Sequence, residues 1–356
     1  TRRWSDTDSD FVVNCKVLNP PPQSTATGSV DTCGTTPNAA FGTNRLTTTY
    51  DPELLSGWGV RPSDWSLGVA VQQELLPRTS VEVAYHRRWF SGFTVTDNRA
   101  VGPDDFDRFS VTAPSDPRLP GGGGFVVDNL YNARINPTPD NFVTSSRTIG
   151  DQYRKFNGVD VTLNVRAAQG FTFQGGTSTG ETVTDSCEIR QALPETNPSN
   201  PHCHQESGLL TQFRGLAAYT IPRIDVLVST VYLDKPGSPG IDASLNANWV
   251  VPQSAYISSL GRVCTGCVAG GPLPGTLSLL APGTLYGDRI RELDLGVKKV
   301  LRFGSTRTTV GLDIYNVLNS NVTLTYNNAF VPGGAWLTPT EIMTARIFRV
   351  TGEFTW

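Results

Sequence analysis

The sequence contains little charge, and the two signs nearly balance. Among 356 residues, 29 are Lys or Arg and 32 are Asp or Glu, which gives a net charge of −3. Charged residues make up 17% of the chain, below the roughly 25% of a typical soluble domain. Without a basic excess the chain lacks the electrostatic footprint of a nucleic-acid-binding protein, so we expect no nucleic-acid partner.

Long hydrophobic runs are also missing. The most apolar stretch, from Ile224 to Leu233, is far shorter than the roughly 18 residues that a spanning helix needs. The sequence therefore excludes a helical membrane protein, but not a membrane β-barrel, whose strands give a much weaker signal. The first residues, TRRWSDTDSD, contain no targeting segment. We therefore expect a processed product or a piece of a longer chain.

Glycine, proline and alternating hydrophobicity are abundant instead. There are 35 Gly and 25 Pro residues, which favours turns and β structure over helical bundles. Five segments alternate between apolar and polar residues and so predict strands with two different faces. They are 65–71, 80–89, 158–166, 292–298 and 309–315.

The connections between strands alternate in length. We predict nine spans, at 65–76, 79–93, 153–166, 170–185, 208–220, 223–234, 288–301, 305–326 and 340–356. Short turns near 76–79, 167–170, 221–224 and 302–305 alternate with long irregular stretches at 1–64, 94–152, 186–208, 234–287 and 327–339. This asymmetry is typical of outer-membrane barrels, which have short periplasmic turns and long external loops. Residues 243–251 resemble a further strand, but strand parity favours placing them in a loop.

The six cysteines fall into three local pairs, all in loop-like stretches. The pairs are Cys15 with Cys33, Cys187 with Cys203, and Cys264 with Cys267. We expect disulfides formed in an oxidising compartment outside the cytoplasm. A zinc site using Cys264, Cys267 and the His202-Cys203-His204 cluster is the alternative, but a second CxxC and a spaced His pair are missing.

The last residues, ARIFRVTGEFTW, place apolar side chains on one side and end on an aromatic residue. Such an ending resembles the signal by which the barrel-assembly machinery inserts outer-membrane barrels. We therefore predict that Phe348, Val350, Phe354 and Trp356 form an insertion signal. An ordinary last strand is the alternative.

The segment from Tyr286 to Asn321 resembles the C-terminal barrel of TonB-dependent outer-membrane receptors, closest to the Oar-like group. The resemblance rests on the hairpin around Arg302-Phe303-Gly304 and on the stretch DIYNVLN from Asp313 to Asn319. The tail PTEIMTARIFRVTGEFTW is similar to the closing strand of the family, and LGVAVQQELLPRTSVEVAYHRRWF is similar to its mid-barrel hairpins. The resemblance covers the strands over most of 65–356.

The resemblance implies an all-β fold and only part of the family's architecture. Such receptors combine a plug carrying a TonB box with a barrel of about 22 strands. At about 40 residues per span, a full barrel needs roughly 870 residues. We expect residues 1–64 to form an external loop region and 65–356 to form a partial transmembrane antiparallel β-barrel with long external loops, the plug being absent. Because nine is odd, the first and last strands would run parallel.

Few residues suggest chemistry. Asp6, Asp8 and Asp10 place hard oxygen ligands at alternate positions, which suits Ca²⁺, although the Gly and Glu of an EF-hand loop are missing. A solvated acidic loop is the alternative. His86, with Arg87 and Arg88, could face a ligand near the external end of a strand. Glu82, Asp160 and Asp294 are candidate carboxylates of the barrel lumen.

No enzymatic pattern is present. Gly121 to Gly124 lack the following Lys and Ser or Thr of a phosphate loop, and no G-x-S-x-G elbow occurs. We therefore expect no catalytic residue and no cofactor other than the calcium considered above. The resemblance implies barrel wall and ligand-contacting loops of a receptor for energised uptake of an unidentified small ligand or glycan. TonB would act through a plug that this chain lacks.

Two other functions remain open. One is an outer-membrane porin or adhesin without a plug, which would use the same strands. The other is a secreted β-sandwich carbohydrate-binding module, whose alternating face would form a dry core between two packed sheets. A barrel wall instead predicts that Leu67, Val83, Val161, Leu295 and Leu312 lie on one outward surface.

Overall fold

The computed structural model describes residues 4–12, 31–33, 48–167, 170–237, 245–263, 276–304 and 306–355. With 55% strand and 11% helix, the prediction of a mainly β fold is confirmed. None of the helices in these ranges is long and apolar enough to cross a membrane.

The elements are numbered in chain order. The strands are β1 (Trp4–Ser5), β2 (Thr32–Cys33), β3 (Thr48–Tyr50), β4 (Ser63–Leu76), β5 (Thr79–Ser91), β6 (Thr94–Asn98), β7 (Phe106–Thr112), β8 (Val126–Ala133), β9 (Asn141–Ser145), β10 (Tyr153–Arg166), β11 (Phe171–Asp185), β12 (His204–Glu206), β13 (Leu210–Ile221), β14 (Val226–Lys235), β15 (Asn248–Val250), β16 (Thr276–Ser278), β17 (Ile290–Phe303), β18 (Thr306–Tyr315), β19 (Thr323–Tyr326), β20 (Ala329–Phe330), β21 (Pro339–Ile342) and β22 (Ile347–Thr355). The helices are α1 (Pro52–Leu55), α2 (Cys187–Ala192) and α3 (Gln253–Leu260).

Nine long strands form the main sheet, and each matches one predicted span. Their order is β4-β5-β10-β11-β13-β14-β17-β18-β22, every neighbour is antiparallel, and β12 adds to the end of β11. Residues 248–250 form β15 in a separate small sheet, as strand parity indicated. Edge strands β4 and β22 do not pair with each other, so the described residues form an open sheet and no closed barrel.

The predicted span 305–326 is too long, because β18 ends at Tyr315. Asn316 follows with a φ of 50°, a left-handed conformation that Asn tolerates better than most residues. Its side-chain amide donates to Ser320 O and Thr344 O, both at 2.9 Å. The buried turn that results breaks the strand. Similarly, β22 begins only at Ile347, since 339–342 pair with β19 instead.

The register of the main sheet places apolar side chains on one face in all nine strands. Val83 lies opposite Val71 and Val161, and Val297 lies opposite Val228 and Leu312. The five marker residues of the sequence prediction, Leu67, Val83, Val161, Leu295 and Leu312, all belong to this apolar face. Four of them are 38% to 46% exposed, and Leu295 is half-buried. The dry core expected of a sandwich is therefore not formed on this face by the described residues.

Aromatic rings cover glycines on both faces of the sheet. Phe156 lies over Gly158 and Gly180 on neighbouring strands, where an added Cβ would come within 2.7 Å and 2.6 Å of the ring. On the apolar face, Phe173 lies over Gly175 in the same way, at 2.7 Å. A larger residue at these positions would therefore displace the rings.

In their described residues the long connections contain short strands and helices, which corrects the prediction of irregular stretches. We call their described residues the cap: 92–152, 186–209, 245–263, 276–289 and 316–346. Short turns at one end of the sheet alternate with the cap segments, so all cap segments emerge at the other end. Within the cap, side chains from 109–130, 247–256, 277–280 and 330–336 form the larger buried core of the described chain.

Trp336 lies at the centre of the cap core. It is 1% exposed, packs edge-on against Phe330 with ring centroids 5.0 Å apart, and donates from Nε1 to Asn246 O at 2.9 Å. Arg118 lies over its ring and donates to its carbonyl oxygen at 2.8 Å. One aromatic side chain therefore joins three connections that are far apart in sequence.

We predict that Trp336→Ala lowers the free energy of unfolding of the cap by about 3–5 kcal/mol, because it leaves a large cavity in a packed core. The measurement is hydrogen exchange of the amides in β15, β20 and α3. Trp58→Ala is the matched control, since Trp58 is fully exposed. Equal protection of these amides in the two variants would contradict the assignment.

Candidate functional site

The polar face of the main sheet carries two adjoining open clefts of about 620 Å³ and 730 Å³. Both are lined by polar-face side chains, and Gln174 and Leu216 border both. Gln, Ser, Thr and Asn are the commonest residues of the two linings, which also contain the charged residues Glu74, Asp160 and Arg214. The polar face therefore forms a long groove that is hydrophilic around Glu74 and has an apolar wall at Leu216, Val231 and Leu233.

A Ser, an Asp and a His meet at the edge of this groove. Asp160 lies 3.1 Å from His86 Nε2 through one oxygen and accepts a hydrogen bond from Ser178 Oγ through the other. In hydrolases the His lies between Ser and Asp so that it can take the Ser proton. Here the Asp lies in the middle, so this cluster does not activate a nucleophile. The sequence prediction missed Ser178, which only the register opposite Asp160 reveals.

The other predicted polar residues divide between the two faces. Arg88 faces the groove and pairs with Asp64 at 2.6 Å, whereas Arg87 lies on the apolar face over the ring of Trp89. Asp294 Oδ1 accepts from Asn316 N at 2.8 Å and so supports the turn after β18. Glu82 lies on the polar face opposite Thr162. The structure does not bring these residues together in one site.

The predicted insertion signal lies on the apolar face as far as the structure describes it. Phe348 is opposite Ile314, Val350 is opposite Leu312, and Phe354 is opposite Thr308. All three are exposed, at 62% to 76%. Trp356 lies outside the described residues. A role in insertion remains a prediction.

One of the three expected disulfides can be tested, and it is present. Cys187 and Cys203 are bonded, with Cα atoms 4.8 Å apart. This bond ties α2 to β12 at the end of β11. Cys15, Cys264 and Cys267 lie outside the described residues, as does the side chain of Cys33. The zinc alternative therefore loses Cys203 as a ligand.

The carboxylates that lie together near the start of the chain are not the three that were predicted. Carboxylate oxygens of Asp6, Asp8 and Asp31 lie within 4.8 Å of one another. Asp10 instead accepts from Val12 N at 2.7 Å in a local turn. Sequence spacing could not indicate Asp31, because it lies more than twenty residues after the other aspartates. Calcium binding by this loop remains a prediction.

A third cleft, of about 570 Å³, lies inside the cap and was not predicted. One wall is β6, an edge strand whose one partner among the described strands is β9. The other wall is the segment from Ser186 to Asn197, which includes α2. Val95 of β6 packs against Ile189 and Leu193 beneath it. We call this space the β6 cleft. The sequence analysis placed this strand within the irregular stretch 94–152, and nothing in the sequence indicates what faces it.

Arg190 fixes the α2 wall of the β6 cleft. The side chain is 5% exposed, lies over the ring of Tyr131, and donates to the carbonyl oxygens of Asn129 and Asn197. Burial lowers the pKa of this guanidinium. At the far end of the wall, Glu195 Oε1 accepts from Asn98 N at 3.2 Å, and burial raises the pKa of its carboxyl. The two walls are therefore held by specific polar contacts.

His204, beside the disulfide, lies between two carboxylates. Its Nδ1 is 2.7 Å from Asp185 and its Nε2 is 3.1 Å from Glu206. Hydrogen bonds to Asp185 and then Glu206 raise the pKa of His204 above its ordinary value of about 6.5. Protonated His204 therefore stabilises the junction of β11 and β12 at low pH. This contribution is lost as the pH rises through the raised pKa.

We predict that titration of the His204 ring, followed by NMR, has its midpoint above 6.5 in the folded chain. Replacing both partners, Asp185→Asn with Glu206→Gln, should bring the midpoint down, because the ring then loses both acceptors that favour its charged form. His204→Gln assigns the signal. A wild-type midpoint at or below 6.5 would show that the ring does not sit between the two carboxylates.

Comparison with known proteins assigns no role to these features. The chain matches no protein-family model, no curated protein and no solved structure. A functional conclusion therefore has to come from the two faces of the sheet, the cap and its clefts.

Proposed function

We propose that this chain is part of the wall of an outer-membrane β-barrel, with the cap as the ligand-contacting part of a TonB-dependent receptor for energised uptake. The observation that carries the proposal is the apolar face of the main sheet. It is continuous over nine strands, and many of its Val, Leu, Phe and Trp side chains remain exposed. Contiguous exposed apolar surface of this extent marks contact with a membrane or another protein.

Strand length and face polarity both support lipid as the contact. The nine strands have 9 to 15 residues, and a tilted strand needs about 9–11 residues to cross a bilayer. The opposite face forms the hydrophilic groove, as a water-filled or plugged lumen requires. In this function the chain is not an enzyme.

The connections at the two ends of the sheet differ in length, which supports an orientation with the cap outside the cell. Turns at one end are as short as Pro77-Arg78, whereas the other end carries the folded cap. In outer-membrane barrels the short turns face the periplasm and the long connections face the outside. The disulfide Cys187–Cys203 lies in the cap, which fits an external location. Lipid and the barrel-assembly machinery are the implied partners, and TonB would act through a plug supplied by another segment.

A pair of neighbouring substitutions in β10 tests the proposal. Val161 lies on the apolar face near the middle of the strand, and Thr162 lies on the polar face opposite Glu82. We predict that Val161→Arg destabilises the chain in lipid vesicles by about 2–4 kcal/mol, the cost of Arg on the lipid face near the midplane. Thr162→Arg should cost little, because its side chain would enter the groove beside a carboxylate.

The measurement is denaturant unfolding of the full chain reconstituted in phosphatidylcholine vesicles. The two variants differ by one position and carry the same added charge, so each controls for the other. If the apolar face met water or a soluble partner instead, Val161→Arg would fold without lipid and improve solubility. That outcome, or equal stability of the two variants in vesicles, would reject a lipid-facing wall.

A further inference from the structure

The β6 cleft has a free strand edge along one wall. Phe93 O accepts from Ser146 N and Arg99 N donates to Asp140 O, both at 2.9 Å, at the two ends of the β6–β9 ladder. Because hydrogen-bonding residues alternate in an antiparallel pair, the odd-numbered residues from 93 to 99 bond to β9. The N–H and C=O groups of Thr94, Thr96 and Asn98 therefore point away from β9.

Among the described residues, only one of these three outward N–H groups has a hydrogen-bond acceptor. Asn98 N donates to Glu195 Oε1, at the end of the cleft. The outward main-chain groups of Thr94 and Thr96 have no hydrogen-bond partner among the described residues, and both residues are exposed. Natural edge strands are often protected by Lys, Pro or a bulge. Here the edge carries two threonines and no register shift.

The lining of the cleft suits a neutral, hydrogen-bonding ligand. It consists mainly of Thr, Asn, Gln and Ser side chains, with Arg190 tied to main-chain carbonyls and Glu195 tied to Asn98. Gln152 Oε1 is buried at the cleft and has no hydrogen-bond partner in the part of the chain that the structure describes. Because a buried acceptor without a partner is costly, this atom favours a ligand that brings an N–H group.

We propose that the β6 cleft binds a short extended peptide, which adds to the free edge of β6 as a further strand. Main-chain groups of Thr94 and Thr96 pair with the peptide backbone, as in other cases of strand addition. The side-chain amide of Gln152 accepts from a peptide N–H, and α2 forms the opposite wall. This proposal depends on the proposed function in one respect: the cap is the part that contacts the ligand. It adds that the ligand is a peptide.

The first part of the test asks whether binding depends on the backbone N–H groups of the peptide. The probe is a mixture of randomised hexapeptides, acetylated and amidated so that no terminal charge contributes. The control probe is the same mixture with every backbone amide N-methylated, which removes the donors needed for strand pairing. Retention on the immobilised full chain in detergent, with the disulfide intact, is measured by mass spectrometry. We expect the wild-type chain to retain the first mixture and not the second.

The variants address the strand edge. Thr96→Pro removes the outward N–H without removing a bond to β9, since Pro is tolerated at such edge positions. Thr96→Val keeps that N–H and is its matched control. We expect Thr96→Pro to reduce retention about fivefold or more, and Gln152→Leu about three- to tenfold, while Thr96→Val leaves retention near the wild-type level.

Two results would overturn the proposal: no excess retention of the unmethylated mixture by the wild-type chain, or equal retention by Thr96→Pro and Thr96→Val. The comparison of the two probes uses unaltered protein, so it remains decisive even if a variant folds poorly. The readout also needs no lipid. If peptide retention fails while Val161→Arg and Thr162→Arg behave as expected in vesicles, only the ligand class is wrong.

Discussion

The apolar face of the main sheet is the constraint on which the rest of the structure depends. Burial of apolar surface contributes about 25 cal/mol per Å², and on this face the described chain provides neither a second sheet nor a packed helix. In the proposed function, lipid provides the burial of this face. The same face fixes the register, because a slip of one strand by one residue would turn that strand's apolar residues to the groove; in β10 it would exchange Val161 with Thr162.

The cap follows from the sheet. Since adjacent strands are antiparallel and four connections are short, the remaining long connections must all leave from one end. There they pack together even though they are distant in sequence: Arg262 donates to Asp107 at 2.7 Å across 155 residues, and Arg118 reaches Trp336 across 218. The entropy of closing such long loops is largely met once the strands have paired. A compact cap core is therefore possible without a continuous stretch of chain.

The sequence predicted the main sheet well because its signal is local. Alternation fixes which residues share a face, and Gly, Pro and short turns fix where strands reverse, so all nine strands and the face of Leu312 could be anticipated. The cap could not, because its core joins residues such as Trp249 and Phe330 that no periodicity links. The same limit applies to the sites. Asp31 beside Asp6, and Ser178 beside Asp160, depend on pairing between separate segments.

The two edges of the main sheet bear on how a wall of this kind can close. With nine antiparallel strands, β4 and β22 run in the same direction, and each exposes a row of main-chain donors and acceptors. Direct pairing of β4 with β22 would be parallel, as in barrels with an odd number of strands. In an all-antiparallel barrel, an odd number of further strands must therefore lie between the two edges. Unpaired edges cannot persist in lipid, where every backbone group needs a partner. In the proposed function, lipid on the apolar face therefore requires each edge to pair, either with the other edge or with further strands.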